Sequence, residues 1–257
     1  MVPIKEALTF DDVTLAPKYS EILPSQVDTS IKITNNLQLK VPLLSSAMDT
    51  ITESKMAIAV AKAGGLGIIH RNLNIKEQIL EIKKVKKKKL LVGAAVGAGA
   101  NEFKRAEEIL KEKIDMIVVD TAHAHTKKVS EKIKIKKKKK NKKTALCAGN
   151  IATPEAAKFL LKLGVDVIKV GIGPGSICTT RLVAGIGVPQ LSAILSVRNG
   201  IKNRNVKIIS DGGIKYSGDL AKAFAAGADA VMIGSLFAGT DETPGKLIKR
   251  NGKLFKS

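Results

Sequence analysis

KLGVDVIKVG (162–171) and AAGADAVMIG (225–234) are two copies of one unit. In each, a helical pattern runs into a glycine, Gly164 or Gly227, where the chain turns through a left-handed residue before a short apolar run begins. Helix, glycine, strand is the repeating step of a parallel sheet, because parallel neighbours need a crossover long enough to hold a helix. Working outward, the same kind of run recurs in PLLSSAM (42–48), GLGIIH (65–70), LLVGAAVG (90–97) and MIVVDTAH (116–123). TALCAGNI (144–151) and KIISDGGI (207–214) complete the set. With the two opening units the count is eight, and all are continuous apolar runs, as strands buried on both faces require.

The runs start about 21 to 28 residues apart, except for a gap of about 42 after the sixth. One βα unit fills each ordinary interval, so the spacing predicts an α/β fold, a (β/α)8 barrel. The long interval places an extra loop, GPGSICTTRLVAGIGVPQ (173–190), at the C-terminal end of the sixth strand, the face on which such barrels do their chemistry. Between the runs, Thr50 with Glu53 and Asn74 with Glu77 have the spacing of capping boxes. Thr153, Pro154 and Glu155 read as a cap, a first helical residue and an acid on the positive end of a helix dipole. After the eighth strand comes TDETPGKLIKRNGKLFKS (240–257), polar and without an amphipathic period, so the eighth outer helix is expected to be missing. Residues 1–257 are read as one domain.

At 257 residues, with 44% hydrophobic and 26% charged residues, the composition excludes a disordered or collagen-like chain. No apolar run reaches the roughly 18 residues of a membrane span. The start, MVPIKEALTF, lacks the pattern of a secretory signal, and two cysteines make no disulfide framework, so a cytoplasmic location is expected. The net charge of +21 is local: six lysines fall in 83–89 and nine in 132–143, and without these fifteen the balance is +6. Neither window carries an aromatic residue for base stacking, so solvated faces are expected rather than a nucleic-acid site.

Among residues that could do chemistry, Cys178 stands out in GIGPGSICTTR (171–181). Its glycines allow close backbone approach to a ligand or ion. A thiol there, beside Arg181 and among polar neighbours, reads as a nucleophile in preference to a small buried hydrophobe. Cys147, inside TALCAG, reads as the buried hydrophobe. SDGG (210–213) and IGS (233–235) end adjacent strands and can present backbone N–H groups to a phosphate, with Asp211 suited to ribose hydroxyls rather than to the phosphate itself. His123 and His125 follow Asp120 and could pair on a metal, but no third ligand is evident. No G-x-G-x-x-G opens a helix after a strand.

Taken together, GIGPGSICTTR, SSAMDT (45–50), GIIHRN (67–72), SDGGIKYSGD (210–219) and MIGSLFAG (232–239) closely resemble the inosine-5′-monophosphate dehydrogenase family, over residues 4–257. The cysteine loop alone is shared with GMP reductase, an NADPH-dependent enzyme that is the alternative, as is a catalytically incomplete barrel that only binds nucleotides or nucleic acid. The resemblance implies oxidation of IMP to XMP with NAD in guanine nucleotide biosynthesis, through a thioimidate on Cys178, with Thr180 assisting. It implies that Ser46, Met48, Ser176, Asp211, Gly212, Gly213, Gly234 and Ser235 hold IMP. Asp120, Asn150, Gly171 and Gly173 would line the NAD site, and the backbone carbonyls of Gly173, Gly175 and Cys178 would bind potassium. It further implies a homotetramer. The family's CBS modules, which interrupt the barrel near residues 83–89, are absent here. The family continues past the counterpart of Ser257 into a segment with a mobile flap and its water-activating arginine, so the hydrolytic half of the site is expected to be incomplete. The family's usual Ser and Gly are replaced by Thr121 and Ala124.

Overall fold

The computed structural model describes residues 5–99, 101–131, 133, 143–201, 205–250 and 253–256. Eight parallel strands close into a barrel: β3 (Leu43–Ser45), β4 (Leu66–Ile69), β5 (Gly93–Val96), β6 (Met116–Asp120), β7 (Ala145–Ile151), β8 (Val167–Val170), β9 (Lys207–Asp211) and β10 (Ala230–Ile233). Each pairs with the next in sequence, and β10 closes on β3. These are the eight apolar runs of the sequence. Their side chains alternate between two cores. Leu44, Met116, Val118, Cys147, Val167, Ile209 and Met232 fill the barrel interior. Ile117, Val119, Leu146, Ile168, Val170 and Ile208 point outward to meet the helices.

Those helices are α1 (Ser54–Lys62), α2 (Ile75–Lys87), α3 (Glu102–Lys111), α4 (127–131), α5 (Pro154–Leu163), the short α6 (Thr180–Val183), α7 (Gln190–Gly200) and α8 (Ser217–Ala225). The Asn74 capping box is present, with Glu77 N–H donating to Asn74 Oδ1 and Asn74 N–H to Glu77 Oε2, both at 3.0 Å. Thr153 caps α5, and Gly164 and Gly227 take φ of +73° and +106°. The expected Thr50 box is not formed. α1 begins only at Ser54, whose N–H donates 2.8 Å across to Glu81 Oε2 on α2, so a tertiary partner replaces the local cap.

Two elements go beyond the sequence reading. A hairpin of β1 (Ile31–Thr34) and β2 (Leu37–Leu39) precedes the barrel, and Ile33, Leu37 and Leu39 join the interior core at its N-terminal mouth. After β10, no outer helix follows among the described residues. The chain forms turns and then an antiparallel pair, β11 (Leu247–Arg250) with β12 (Lys253–Lys256). The flank beside α1 keeps an apolar hollow of about 390 Å³, lined by Met56, Val60 and Phe237 among others. The first lysine window ends α2, where Lys83, Lys84 and Lys86 pair with Glu112, Glu81 and Asp115. Of the second window, residues 132 and 134–142 lie outside the described residues. No described helix is long and apolar enough to cross a membrane.

Candidate active site

Two of the cavities at the C-terminal ends of the barrel strands hold most of the expected site residues. The first, of about 290 Å³, is lined by Asp120, Asn150, Gly171, Gly173, Cys178 and Thr180 among others. The second, of about 170 Å³, is lined by Ser176, Gly212, Gly213, Gly234 and Ser235 among others. Ser46, Met48, Asp211 and Met232 line both. The structure thus gathers the residues expected at the cofactor in one cavity and those expected at the substrate in the other, with the cysteine loop between them.

Backbone geometry makes that loop possible. Gly171, at φ +151°, would place a Cβ 2.0 Å from the Asp211 carbonyl oxygen, so any side chain there would push the loop off β9. Gly212, at φ +94°, would place one 3.0 Å from Pro174 Cγ and 3.1 Å from Gly175 N. The two turns therefore pack backbone against backbone. Cys178 N–H donates to the Gly175 carbonyl at 3.1 Å, closing the bend, and the Cys178 thiol donates to Thr180 Oγ1 at 3.3 Å. Cys178 is partly exposed, while Cys147 is fully buried in the barrel interior, where burial pushes its thiol up to about 12.

Under the first cavity lies a polar cluster on four consecutive strands. Period-two alternation from Val118, Val167 and Ile209 turns Asp120, Lys169 and Asp211 inward as the top layer of the barrel. Lys169 Nζ lies 2.9 Å from Asp120 Oδ1 and 2.6 Å from Asp211 Oδ2, and also donates to Asn150 Oδ1. Asn150 Nδ2 in turn donates to Asp211 Oδ2 at 2.9 Å and to the Gly171 carbonyl at 2.7 Å. Lys169 is 4% exposed. Burial alone would favour its neutral form, but the carboxylates of Asp211 and Asp120 outweigh that and raise its pKa above the ordinary lysine value. For Asp120 burial works toward protonation and Lys169, with Arg71 behind it, works more strongly against, so its carboxyl is held below the usual range.

His123 and His125 are exposed beyond Asp120, their rings 6.2 Å apart, with His125 against Phe159 at 4.8 Å. Among the described residues no group of three potential ligands surrounds them. The third histidine, His70, is buried, its Nδ1 accepting from Asn72 N–H and its Nε2 3.3 Å from Glu53 Oε1.

A family profile described as IMP dehydrogenase / GMP reductase domain matches residues 7–257. This chain belongs to the IMP dehydrogenase / GMP reductase family. A relative named inosine-5′-monophosphate dehydrogenase from Borreliella burgdorferi is 48% identical over 304 residues, covering 98% of this chain and 75% of the relative. One of the same name from Cryptosporidium parvum is 43% identical over 286 residues, covering 95% and 70%. One from Aquifex aeolicus is 36% identical over 382 residues, covering 98% and 78%.

Two residues of this IMP dehydrogenase / GMP reductase site escape the sequence reading. Lys169 is hidden inside the apolar run VDVIKVG, yet its in-register step from Val167 marks a charge facing the barrel interior. Gln190, 2% exposed at the start of α7, donates from Nε2 to the Val170 carbonyl at 2.9 Å and to Ser210 Oγ at 3.1 Å. It ties together the strand ends that carry the cysteine loop and Asp211, and nothing in its local sequence announces that reach.

Proposed function

We propose that this chain is an oxidoreductase that converts IMP to XMP with NAD, in guanine nucleotide synthesis, through a covalent bond between Cys178 and C2 of the purine. The reading is carried by one observation: Cys178 lines the first cavity, while Gly175 and Ser176 of the same loop line the second. A nucleotide in the second cavity and a nicotinamide in the first would meet at that sulfur.

The second cavity suits a nucleotide. Backbone N–H groups around Gly212, Gly213 and Gly234, with the hydroxyls of Ser176 and Ser235, offer donors to a 5′-phosphate. Asp211 takes the ribose hydroxyls. Ser46, whose buried Oγ has no partner among the described residues, and Met48 border the base. In the first cavity Asp120 accepts from a ribose of NAD, and Asn150, Gly171 and Gly173 line the same cofactor. The carbonyls of Gly173, Gly175 and Cys178 are neutral oxygen donors on one short bend, a set that suits potassium.

Chemically, the Cys178 sulfur adds to C2, and NAD supplies the acceptor for the hydride that leaves that carbon. The thioimidate left on Cys178 is then cleaved by water, with Thr180 beside the sulfur to help move its proton, which frees XMP and the thiol. IMP, NAD and water give XMP, NADH and a proton. Residues 1–257 form one catalytic barrel without CBS modules, working in the cytoplasm as a homotetramer.

The test is NADH absorbance after rapid mixing of the chain with IMP, NAD and potassium, beside Cys178→Ala. A burst approaching one equivalent per subunit, absent from the variant, supports the reading. NADPH consumption with GMP and no NADH from IMP would favour the reductase, and no reaction in either direction would leave a nucleotide-binding barrel.

A further inference from the structure

Lys169 has a role that neither cavity explains by itself. The Lys169 ammonium donates to Asn150 Oδ1 and Asp211 Oδ2 and stands 2.9 Å from Asp120 Oδ1 as an ion pair, so three oxygens hold it in place. Its contacts are electrostatic: among the described residues it is the cation that touches both Asp120, which lines the first cavity, and Asp211, which lines the first and the second. Each carboxylate spends one oxygen on Lys169. Among the described residues no hydrogen bond is made by the other oxygen of either, Oδ2 of Asp120 and Oδ1 of Asp211.

The strand register is built to admit this side chain. Gly149 of β7 pairs with Asp120 on one side and with Lys169 on the other, and a Cβ on Gly149 would stand 2.6 Å from Lys169 Cβ. The bare glycine lets the lysine stem rise between its neighbours. Without the ammonium, two carboxylates would face each other across a partly dry site with only the Asn150 amide between them, and like charges so placed repel.

We propose that Lys169 is a positioning residue that couples the two cavities, holding Asp120 for a ribose in one and Asp211 for a ribose in the other. The inference rests on the reading of the cavities as a nucleotide and a dinucleotide site, and adds to it that the two sites share a single buried charge.

The test is equilibrium binding of IMP and, separately, of NAD to the full chain, by calorimetry, for wild type, Lys169→Met and the double variant Lys169→Met with Asp120→Asn. Lys169→Met is expected to weaken both ligands by about ten-fold or more, since removing one partner of a buried pair leaves uncompensated charge. The double variant removes the second negative charge. Asp211 then keeps its bond from Asn150 with no second carboxylate beside it, so IMP affinity is expected to return to within about three-fold of wild type while NAD affinity does not. A merely structural lysine would show no such selective recovery. Wild type that binds neither ligand would sink the functional reading. Wild type that binds both, with folded Lys169→Met unchanged or with both ligands equally weak in the double variant, would overturn the role of Lys169 alone. Failure of both variants to fold would also overturn it, by making Lys169 a residue of the fold.

Discussion

Thr180 Oγ1, on the first residue of α6, accepts from the Cys178 thiol at 3.3 Å, so among the described residues the hydroxyl that bonds the sulfur is fixed by a helix rather than by a loop. On the proposed mechanism, a hydroxyl in that place serves when the bond from sulfur to C2 is broken by water rather than when it forms. Thr180→Ala should therefore leave the first equivalent of NADH nearly as fast as wild type and slow later turnover by about 10²-fold, the lower range for loss of a positioned proton-transfer group. Stopped-flow absorbance separates the two phases. An equal slowing of both would place Thr180 in the first step instead.

The two cysteines should part in reactivity. Cys147 is shut in the barrel interior with its thiol pushed up to about 12, while Cys178 is reachable from the first cavity. Iodoacetamide at pH 8 should label one thiol per chain, mass spectrometry should place it at Cys178, and IMP should protect it. Cys147→Ala should leave labelling unchanged and cost about 1 kcal/mol of stability through the small cavity it leaves. Labelling of Cys147 in the native protein would contradict its burial.

What the sequence discloses here follows physical range. The eight barrel strands are legible because each is buried on both faces, so apolar runs and their spacing carry the signal locally. Asn74, Thr153 and Gly164 are legible because a cap and the backbone group it satisfies lie within four residues. Thr50 misleads for the complementary reason: α1 starts only at Ser54, and the donor at that start, Ser54 N–H, is taken by Glu81 from the next helix. Asp120 and Asp211 announce themselves as polar residues at strand ends and Cys178 as a thiol in a glycine-rich loop, whereas Lys169 looks like one more residue of an apolar run until register shows what it faces. The terminal hairpin was open to reading, since Asn251 and Gly252 stand between Arg250 and Lys253, and Asn-Gly is a strong two-residue hairpin signal.

Gln190 offers a test of how the site is held. Its amide bonds the end of β8 through Val170 and the end of β9 through Ser210, the strands that deliver Cys178 and Asp211. Gln190→Leu keeps most of the volume but leaves the buried Val170 carbonyl without this donor. A loss of about 1–3 kcal/mol in urea unfolding is expected, together with weaker IMP binding. Destabilisation with unchanged IMP affinity would mean that the strand ends keep their places without the amide.

Asp219 extends the same logic to the far end of the loop that follows β9. Its Oδ2 accepts from the N–H groups of Lys215 and Tyr216, each at 3.0 Å, and Lys222 Nζ lies 3.4 Å from Oδ1, so the chain that leaves Asp211, Gly212 and Gly213 is pinned where α8 begins. Burial alone would raise the Asp219 pKa, but the two backbone donors and the Lys222 ammonium outweigh it and hold the carboxyl below its ordinary value. The unfolded chain binds this proton at about pH 3.9, the folded chain only at lower pH. The stabilisation is therefore fully present above the unfolded value and is lost as pH falls through the folded one. Asp219→Asn should lower stability by about 1–2 kcal/mol at pH 7, and the gap to wild type should narrow steadily below about pH 4. Paired urea titrations at pH 7 and pH 3 measure both points. A gap of the same size at the two values would mean that shape, not the carboxylate charge, holds the loop.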